Sequence, residues 1–164
     1  MREKGYRCIV SDLDLTLLNS DKTLSSATKQ ALKILMENGI LFVPASGRGF
    51  YSFPACIMGL PGIQYAIASN GVAIYDVRKK EPVSIMKLPK DTAEELFCLL
   101  RDHNVAYEGF IDGQAYVSRS YFEEPQNFGA PLTALGYVRS TRKPVEDIQA
   151  FLKMKDVYKR QIYS

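Results

Sequence analysis

Residues 8–18 read CIVSDLDLTLL, and this stretch decides the fold. The run from Cys8 to Ser11 is apolar, carries β-branched residues and stops at Asp12, a pattern typical of a buried β-strand. Asp12 and Asp14 follow one residue apart. Two carboxylates this close at the end of a buried strand repel each other and lose hydration, so the pair costs stability unless a cation or a proton offsets it. The plainer interpretation is a loop with two solvated aspartates.

The next segments alternate between helix and strand. A serine at position 25 or 26 can cap a helix whose apolar residues recur at helical spacing, and Gly39 is a C-terminal stop. Further apolar segments predict a strand, a short helix and a strand at 40–45, 50–58 and 65–68. Uncharged strands separated by helices favour a parallel sheet covered by helices, here a partial Rossmann-like α/β core.

The pattern changes from about residue 73. The runs 73–75 and 83–85 flank a polar segment and predict an antiparallel ribbon. Asp91 and Glu94 predict a capping box for a helix that reaches about residue 102. Asp112-Gly113 predicts the turn of a β-hairpin. We therefore expect residues 1–82 to form the N-terminal part of the core and residues 83–155 to belong to a second, partial α/β domain.

The composition excludes several classes of protein. Of 164 residues, 46% are apolar, and 21 basic against 18 acidic residues give a net charge of +3. With no Lys/Arg run longer than 78–80, this charge favours neither nucleic acid nor an anionic membrane as a partner. No apolar run approaches the ~20 residues of a membrane span, and residues 1–7 are unlike a signal peptide. We therefore expect a cytoplasmic protein.

The cysteine and histidine content excludes further chemistries. Cys8, Cys56 and Cys98 form no CxxC pair, which favours reduced core thiols over disulfides or a zinc site. His103 is the single histidine and follows a helical pattern in a polar stretch, so we expect it to be solvated. Without a second histidine, Ser-His-Asp or Cys-His catalysis has little basis.

Small or polar residues follow each of the three predicted strands of the core. Because the carboxyl ends of adjacent strands line the ligand crevice of an open α/β sheet, we expect these residues to lie together. The set suits phosphoryl transfer, with a carboxylate nucleophile, a second carboxylate for proton transfer, and hydroxyl and amide donors for phosphate. Mg²⁺, which prefers carboxylate, water and phosphate oxygens, would offset the negative charge. The three groups are Asp12 to Thr16, Ser46-Gly47-Arg48 and Ser69-Asn70-Gly71, of which the second and third are individually also typical of turns.

Three segments carry a resemblance to a known family. Residues 9–18 resemble the first motif of the haloacid dehalogenase superfamily, 44–48 resemble its second, and 67–76 are similar to a stretch of its Cof-like branch. The similarity covers about residues 7–120. It implies a Mg²⁺-dependent phosphatase of small phosphorylated metabolites, such as sugar phosphates, with a Rossmann-like core and an inserted α/β cap. Residues 83–155 would be the start of that cap, which selects the substrate.

The resemblance also implies roles for individual residues. Asp12 would be the nucleophile that forms an aspartyl-phosphate and would give Mg²⁺ a carboxylate oxygen. Asp14 would protonate the leaving alcohol, then activate water, and would bind the metal through its backbone carbonyl. Thr16 would brace the loop, and Ser46 would hydrogen-bond the transferring phosphoryl group. The remaining expected phosphate- or substrate-binding residues are Gly47, Arg48, Asn70 and Gly71.

The sequence departs from the family pattern in two places. Leu15 stands where the family usually has Gly. Downstream, neither the family's Lys nor its Gly-Asp-x-x-Asn-Asp-like acidic motif follows, so we expect an N-terminal fragment. Residues 156–161 can be read back as GAT GTG TAT AAG AGA CAG, one frame of the transposon-end adapter used for sequencing libraries. This predicts that 156–164 is a non-native tail, with a natural basic helix end as the alternative.

Three other functions remain to be weighed against the phosphatase. A remnant that binds phosphate or a partner without turnover is a serious alternative, because half of the metal site is missing. A phospho-acceptor signalling domain would carry its aspartate after the third strand, where this chain has Ser69-Asn70. A DxD glycosyltransferase would need a nucleotide-binding region before the motif, and residue 12 leaves no room for one.

Overall fold

The computed structural model describes residues 7–100, 102–154 and 159–163. Its contacts divide the chain into two compact units between Ser84 and Ile85. The elements of the first unit, in chain order, are β1 (Cys8–Asp12), α1 (Ser26–Glu37), β2 (Leu41–Ala45), α2 (Ala55–Met58), β3 (Tyr65–Ala68), β4 (Ala73–Asp76) and β5 (Glu81–Ile85), which ends one residue past the division.

The first unit is built on a five-stranded sheet in the order β1-β2-β3-β4-β5. β1 and β2 run parallel with Asp12 opposite Ala45, and β2 and β3 run parallel with Ala45 opposite Ile67. β4 returns antiparallel to β3. The parallel α/β core is therefore confirmed, and the carboxyl ends of β1, β2 and β3 share one edge of the sheet.

The predicted burial of the first strand is wrong. β2 has a buried centre, with Phe42 only 1% exposed, whereas Val10 in β1 is 56% exposed. The difference arises because β1 lies at the end of the sheet, and its other side pairs with no strand of the described residues. An apolar composition shows that a strand can be buried, but it does not show whether another strand will pair on each side of that strand.

Local capping follows the sequence at α1 and departs from it at α2. The Ser25 hydroxyl accepts the Thr28 amide, and Gly39 ends the helix region with a φ of 76°. The predicted helix over 50–58 is instead a 3₁₀ turn and a short α2, separated at Pro54. A residue before proline disfavours helical backbone, so Phe53 is extended with a ψ of 141°.

The second unit has a four-stranded sheet in the order β8-β7-β6-β9. The predicted hairpin is confirmed, since Ile111 pairs with Gln114 across Asp112 and Gly113, whose φ values are both positive. Helices cover both faces of the sheet, so β6 is buried throughout. The elements are α3 (Lys90–Leu99), β6 (Ala106–Ile111), β7 (Gln114–Ser118), α4 (Arg119–Glu123), α5 (Ala134–Thr141), β8 (Arg142–Val145), α6 (Ile148–Lys153) and β9 (Lys159–Tyr163).

Two further expectations are corrected. The capping box is wrong, because α3 already begins at Lys90 after Pro89, which places Asp91 inside the first turn and leaves the helix without a side-chain cap. Cys8, Cys56 and Cys98 form no disulfide within the described residues, but all three are exposed, so they are not core thiols. The strand β9 lies within residues 156–164, the segment predicted to be a non-native tail, and it pairs antiparallel with β6. Among the residues that the structure describes, no helix is long and apolar enough to span a membrane.

Candidate active site

The candidate site lies at the carboxyl edge of the parallel strands in the first unit. The Ser46 amide donates to the Ile67 carbonyl at 2.9 Å, which extends the β2–β3 pairing by one residue. The Ser69 amide donates to the Arg48 carbonyl at 2.8 Å, and the Asn70 amide donates to the Ser46 carbonyl at 3.1 Å. These bonds tie the loops after β2 and β3 into one layer beside Asp12, whose strand neighbour is Ala45.

Asp12 presents an exposed carboxylate at the end of β1. Its Oδ1 accepts the Leu13 amide at 2.8 Å, and its backbone carbonyl accepts the Ser11 hydroxyl at 2.9 Å. The backbone amide fixes the carboxylate on the turn that follows the strand. A carboxylate held in this way and open to solvent is suited to attack on an incoming electrophile.

Asp14 is held by two cations from other parts of the first unit. Arg48 binds it through both oxygens, Nε to Oδ2 and Nη2 to Oδ1, each at 2.8 Å. Lys22 Nζ lies 3.0 Å from Oδ1. The Arg48 hydrogen bonds, reinforced by Lys22, lower the pKa of Asp14 to about 2, although partial burial opposes the shift. Asp14 is therefore a fully ionised carboxylate in this arrangement.

Ser46 is buried between the loops with its hydroxyl still able to donate. The side chain is 7% exposed, and Oγ accepts the Arg48 amide at 3.3 Å. A hydroxyl that accepts one bond retains a proton that can be given to a phosphoryl oxygen. A Cβ at Gly47 would lie 2.6 Å from Asn70 Oδ1, so a larger residue here would have to displace the Asn70 side chain.

Left-handed backbone is concentrated in the loops of the site. Leu15 has a φ of 61° and is 89% exposed, which explains physically why glycine suits this position. Ser69, Asn70 and Gly71 are three consecutive residues with positive φ, and the Ser69 hydroxyl is buried without a hydrogen-bond partner among the described residues. Strained backbone and unsatisfied polar groups of this kind cluster at functional sites.

The structure brings together some of the predicted residues and leaves others apart. Asp14, Ser46 and Arg48 are directly linked, and Asn70 packs against Gly47. Thr16 and Gly71 are exposed, and none of the hydrogen bonds described above involves either residue. Their predicted roles stay predictions.

Lys22 and Ser52 are contacts of the site that the sequence did not indicate. Lys22 lies in the turn before α1, and the Ser52 carbonyl accepts Arg48 Nη1 at 3.2 Å. No sequence signal marks either one, because a lysine in a polar turn and a backbone carbonyl have no distinctive pattern.

The donor set fits part of a Mg²⁺ site. Within residues 7–100, 102–154 and 159–163, no group of three His, Cys, Asp or Glu side chains is placed to hold a metal ion. Asp12 offers an exposed carboxylate, and Mg²⁺ in proteins commonly takes one or two carboxylates and completes its shell with water and substrate phosphate. The oxygen chemistry is therefore suitable, with fewer acidic groups than a complete protein site would have.

A carboxylate pair, a buried serine and an arginine gather at the carboxyl edge of the parallel strands, which places the chain in the class of α/β proteins with a polar site at the ends of a parallel sheet. Residues 9–163 match the family of haloacid dehalogenase-like hydrolases. The chain belongs to this family.

Individual relatives agree with this assignment. The HMP-PP phosphatase of Serratia proteamaculans is 36% identical over 92 residues, which cover 56% of this chain and 33% of the relative. The pyridoxal phosphate phosphatase YbhA of Escherichia coli is 29% identical over 106 residues, covering 65% of this chain and 39% of the relative. The chain spans less than half the length of three further curated relatives, all from Buchnera aphidicola.

A solved structure shows the same fold. The phosphatase BT1666 of Bacteroides thetaiotaomicron, from the haloalkanoate superfamily, superposes with a TM-score of 0.72 at 24% identity. The match covers 96% of this chain and 56% of that one.

Proposed function

We propose that this chain carries the nucleophile-bearing part of a Mg²⁺-dependent phosphatase of small phosphorylated metabolites. The observation that carries the proposal is the register of β1 and β2, which sets Asp12 opposite Ala45 and so brings Asp12 beside Ser46. Adjacent strands lie about 4.8 Å apart, a spacing that lets one phosphoryl group contact both side chains. An exposed carboxylate and a hydroxyl with a proton to give are the two groups that such a reaction needs first.

The proposed reaction has two steps. In the first, Asp14 takes up a proton from solvent, an Asp12 oxygen bonds to phosphorus as the ester P–O bond breaks, and Asp14 passes that proton to the departing alcohol. In the second, Asp14 takes a proton from water, the water oxygen attacks phosphorus, and phosphate leaves with Asp12 restored. Ser46 would donate its hydroxyl proton to a phosphoryl oxygen throughout.

Asp12 and the Asp14 carbonyl would hold Mg²⁺, which supplies positive charge beside the phosphoryl oxygens. The exposed Asp12 carboxylate supports this assignment. We also propose that turnover requires groups outside the described residues, because no third acidic side chain joins Asp12 and Asp14 there.

The substrate class follows from the relatives. The names of two of them specify HMP-PP and pyridoxal phosphate as substrates. Both substrates are small, phosphorylated and organic. We propose the same class for this chain and no individual metabolite.

Binding without turnover is the second candidate function. It is favoured by the Asp14–Arg48 ion pair, which holds the proposed acid in its charged form. On this alternative the site would take phosphate but would not cleave its esters.

Two measurements test the proposal. In the first, inorganic phosphate is titrated into the ¹⁵N-labelled chain, and we expect amide shifts at Asp12 to Asp14 and at Ser46 to Arg48. Ser46→Ala should weaken binding, whereas Ser140→Ala, on an exposed helix surface of the second unit, should not. Shifts confined to other regions would reject the site.

The second measurement is Mg²⁺-dependent hydrolysis of p-nitrophenyl phosphate and sugar phosphates. We expect little turnover from this chain and clear turnover when the reading frame is extended to the length of the relatives. Asp12→Asn should abolish the activity of the extended protein. Activity that survives Asp12→Asn would exclude Asp12 as nucleophile, and an inactive extended protein would leave binding as the function.

A further inference from the structure

The cations around Asp14 form a preorganised anion site that an internal carboxylate occupies. Arg48 presents the flat edge of its guanidinium to both Asp14 oxygens, and Lys22 approaches Oδ1 from the turn before α1. The Arg48 side chain is 14% exposed, and its third nitrogen donates to the Ser52 carbonyl. A carboxylate and a phosphoryl group offer the same pair of oxygens to such a fork.

This occupancy conflicts with the role proposed for Asp14. Its two oxygens already accept three charged N–H donors, which leaves one of about four acceptor positions open and favours the charged form of Asp14, which has no proton to give. Arg48 cannot withdraw by its backbone, because its carbonyl accepts the Ser69 amide and its amide donates to Ser46. The guanidinium can move by rotation about its own side-chain bonds.

We infer that Arg48 and Lys22 are ligands for the anionic oxygens of the substrate, held by Asp14 before the substrate binds and transferred to the phosphoryl group when it binds. This inference rests on the proposed function and adds its regulation. The transfer leaves the total number of charge-assisted hydrogen bonds nearly unchanged, because one oxyanion replaces another on the same donors. Because the same donors leave Asp14 in this transfer, the Asp14 carboxylate becomes accessible when phosphate binds.

The alternative is that Arg48 has only a structural role and joins the loops after β1 and β2. With a structural role alone, Arg48 would stay bound to Asp14 whether or not phosphate is present. An exchanging ligand predicts that Asp14 and phosphate compete for Arg48. Competition is measurable as an energetic coupling between the two residues in phosphate binding.

The test is a double-mutant cycle of inorganic phosphate affinity in the full chain, followed by the amide signal of Ser46. Asp14→Asn should tighten binding about fivefold. This gain in affinity should disappear in Asp14→Asn/Arg48→Gln, because the guanidinium for which Asp14 and phosphate compete is then absent. Asp12→Asn is the matched control: it removes the same charge two residues away, and its effect should not depend on Arg48.

The Arg48 Nε–H signal supplies a second readout. We expect it to shift on addition of phosphate in the wild type, and Arg48→Lys, which keeps the charge without the fork, should keep part of the coupling. Phosphate binding with no coupling and an unmoved Nε–H signal would overturn the exchange while leaving the proposed function standing. Absence of phosphate binding in every folded variant would overturn both.

Discussion

Replacement of Arg48 by Gln should change how stability depends on pH. In the wild type, the Arg48 hydrogen bonds hold the pKa of Asp14 at about 2, below its ordinary value of 3.8. A carboxylate whose pKa is lowered by folding stabilises the folded state above its unfolded pKa and loses that contribution as the pH falls through the folded pKa. The contribution is therefore complete above about pH 4 and disappears as the pH falls towards 2.

The size of this effect follows from the same contact. The difference between 3.8 and about 2 sets an upper bound of about 2.5 kcal/mol. Asp14 is 32% exposed and Lys22 is 52% exposed, so solvent screening reduces the expected contribution to about 1 kcal/mol. Lys22 is still present in Arg48→Gln, so a minor part of this stabilisation by the charged Asp14 remains in the variant.

The assay is urea unfolding of both proteins at several pH values between 5 and 2. We expect Arg48→Gln to be less stable at pH 5, and the difference between the two proteins to narrow by about 1 kcal/mol as the pH falls to 2. Lys33→Gln removes the same charge from an exposed pair with Glu37 at 3.7 Å, and its effect should stay under about 0.5 kcal/mol at every pH.

A constant difference between wild type and Arg48→Gln across this range would refute the reasoning, because the effect of Arg48 would then not pass through the charge on Asp14. A direct check is ¹³C NMR titration of the aspartate carboxyls. An Asp14 signal that titrates near 3.8 in the wild type would refute the ion pair itself.

Three other predictions concern the fold. Glu108→Ala leaves the buried Arg142 without the carboxylate that lies 2.8 Å away, and urea unfolding should show a loss of about 3 kcal/mol, with a smaller loss when both residues become Met. Leu15→Gly should raise the melting temperature, since it relieves up to about 1 kcal/mol of left-handed strain, whereas the β-branched Leu15→Val should lower it. The exposed Val10 on β1 should promote concentration-dependent association in sedimentation velocity runs, and Val10→Lys should reduce it; association that Val10→Lys leaves unchanged would exclude this strand as the contact.

Much of the fold could be predicted because local physics decides it. The hairpin at Asp112-Gly113 needs two residues with positive φ, and the sequence supplies a pair that tolerates them. The start of α1 depends on a hydroxyl three residues before an amide, which Ser25 provides. The start of α3 was missed because Pro89 and Asp91 offer competing starts, and composition does not rank them.

The sequence allowed us to predict which loops form the site but not which side chains contact each other within it. The ends of β1, β2 and β3 had to share an edge once the strands were parallel, so Asp12 and Ser46 were expected to be neighbours. The partner of Asp14 was not predictable, because Arg48 lies 34 residues away and Lys22 had no marked role in the sequence. Which side chain reaches a carboxylate depends on rotamers and loop packing, and neither leaves a periodic signal.

The sequence by itself determined the order of strands and helices in the first unit, the position of the paired aspartates at a strand end, and the family resemblance, because each depends on neighbours along the chain. Only the tertiary structure decided that β1 pairs on one side alone among the described strands, and that Asp14 is held by two cations. Burial and ion pairing depend on which distant segments share space, and Coulombic contacts form across that space whatever the separation in sequence.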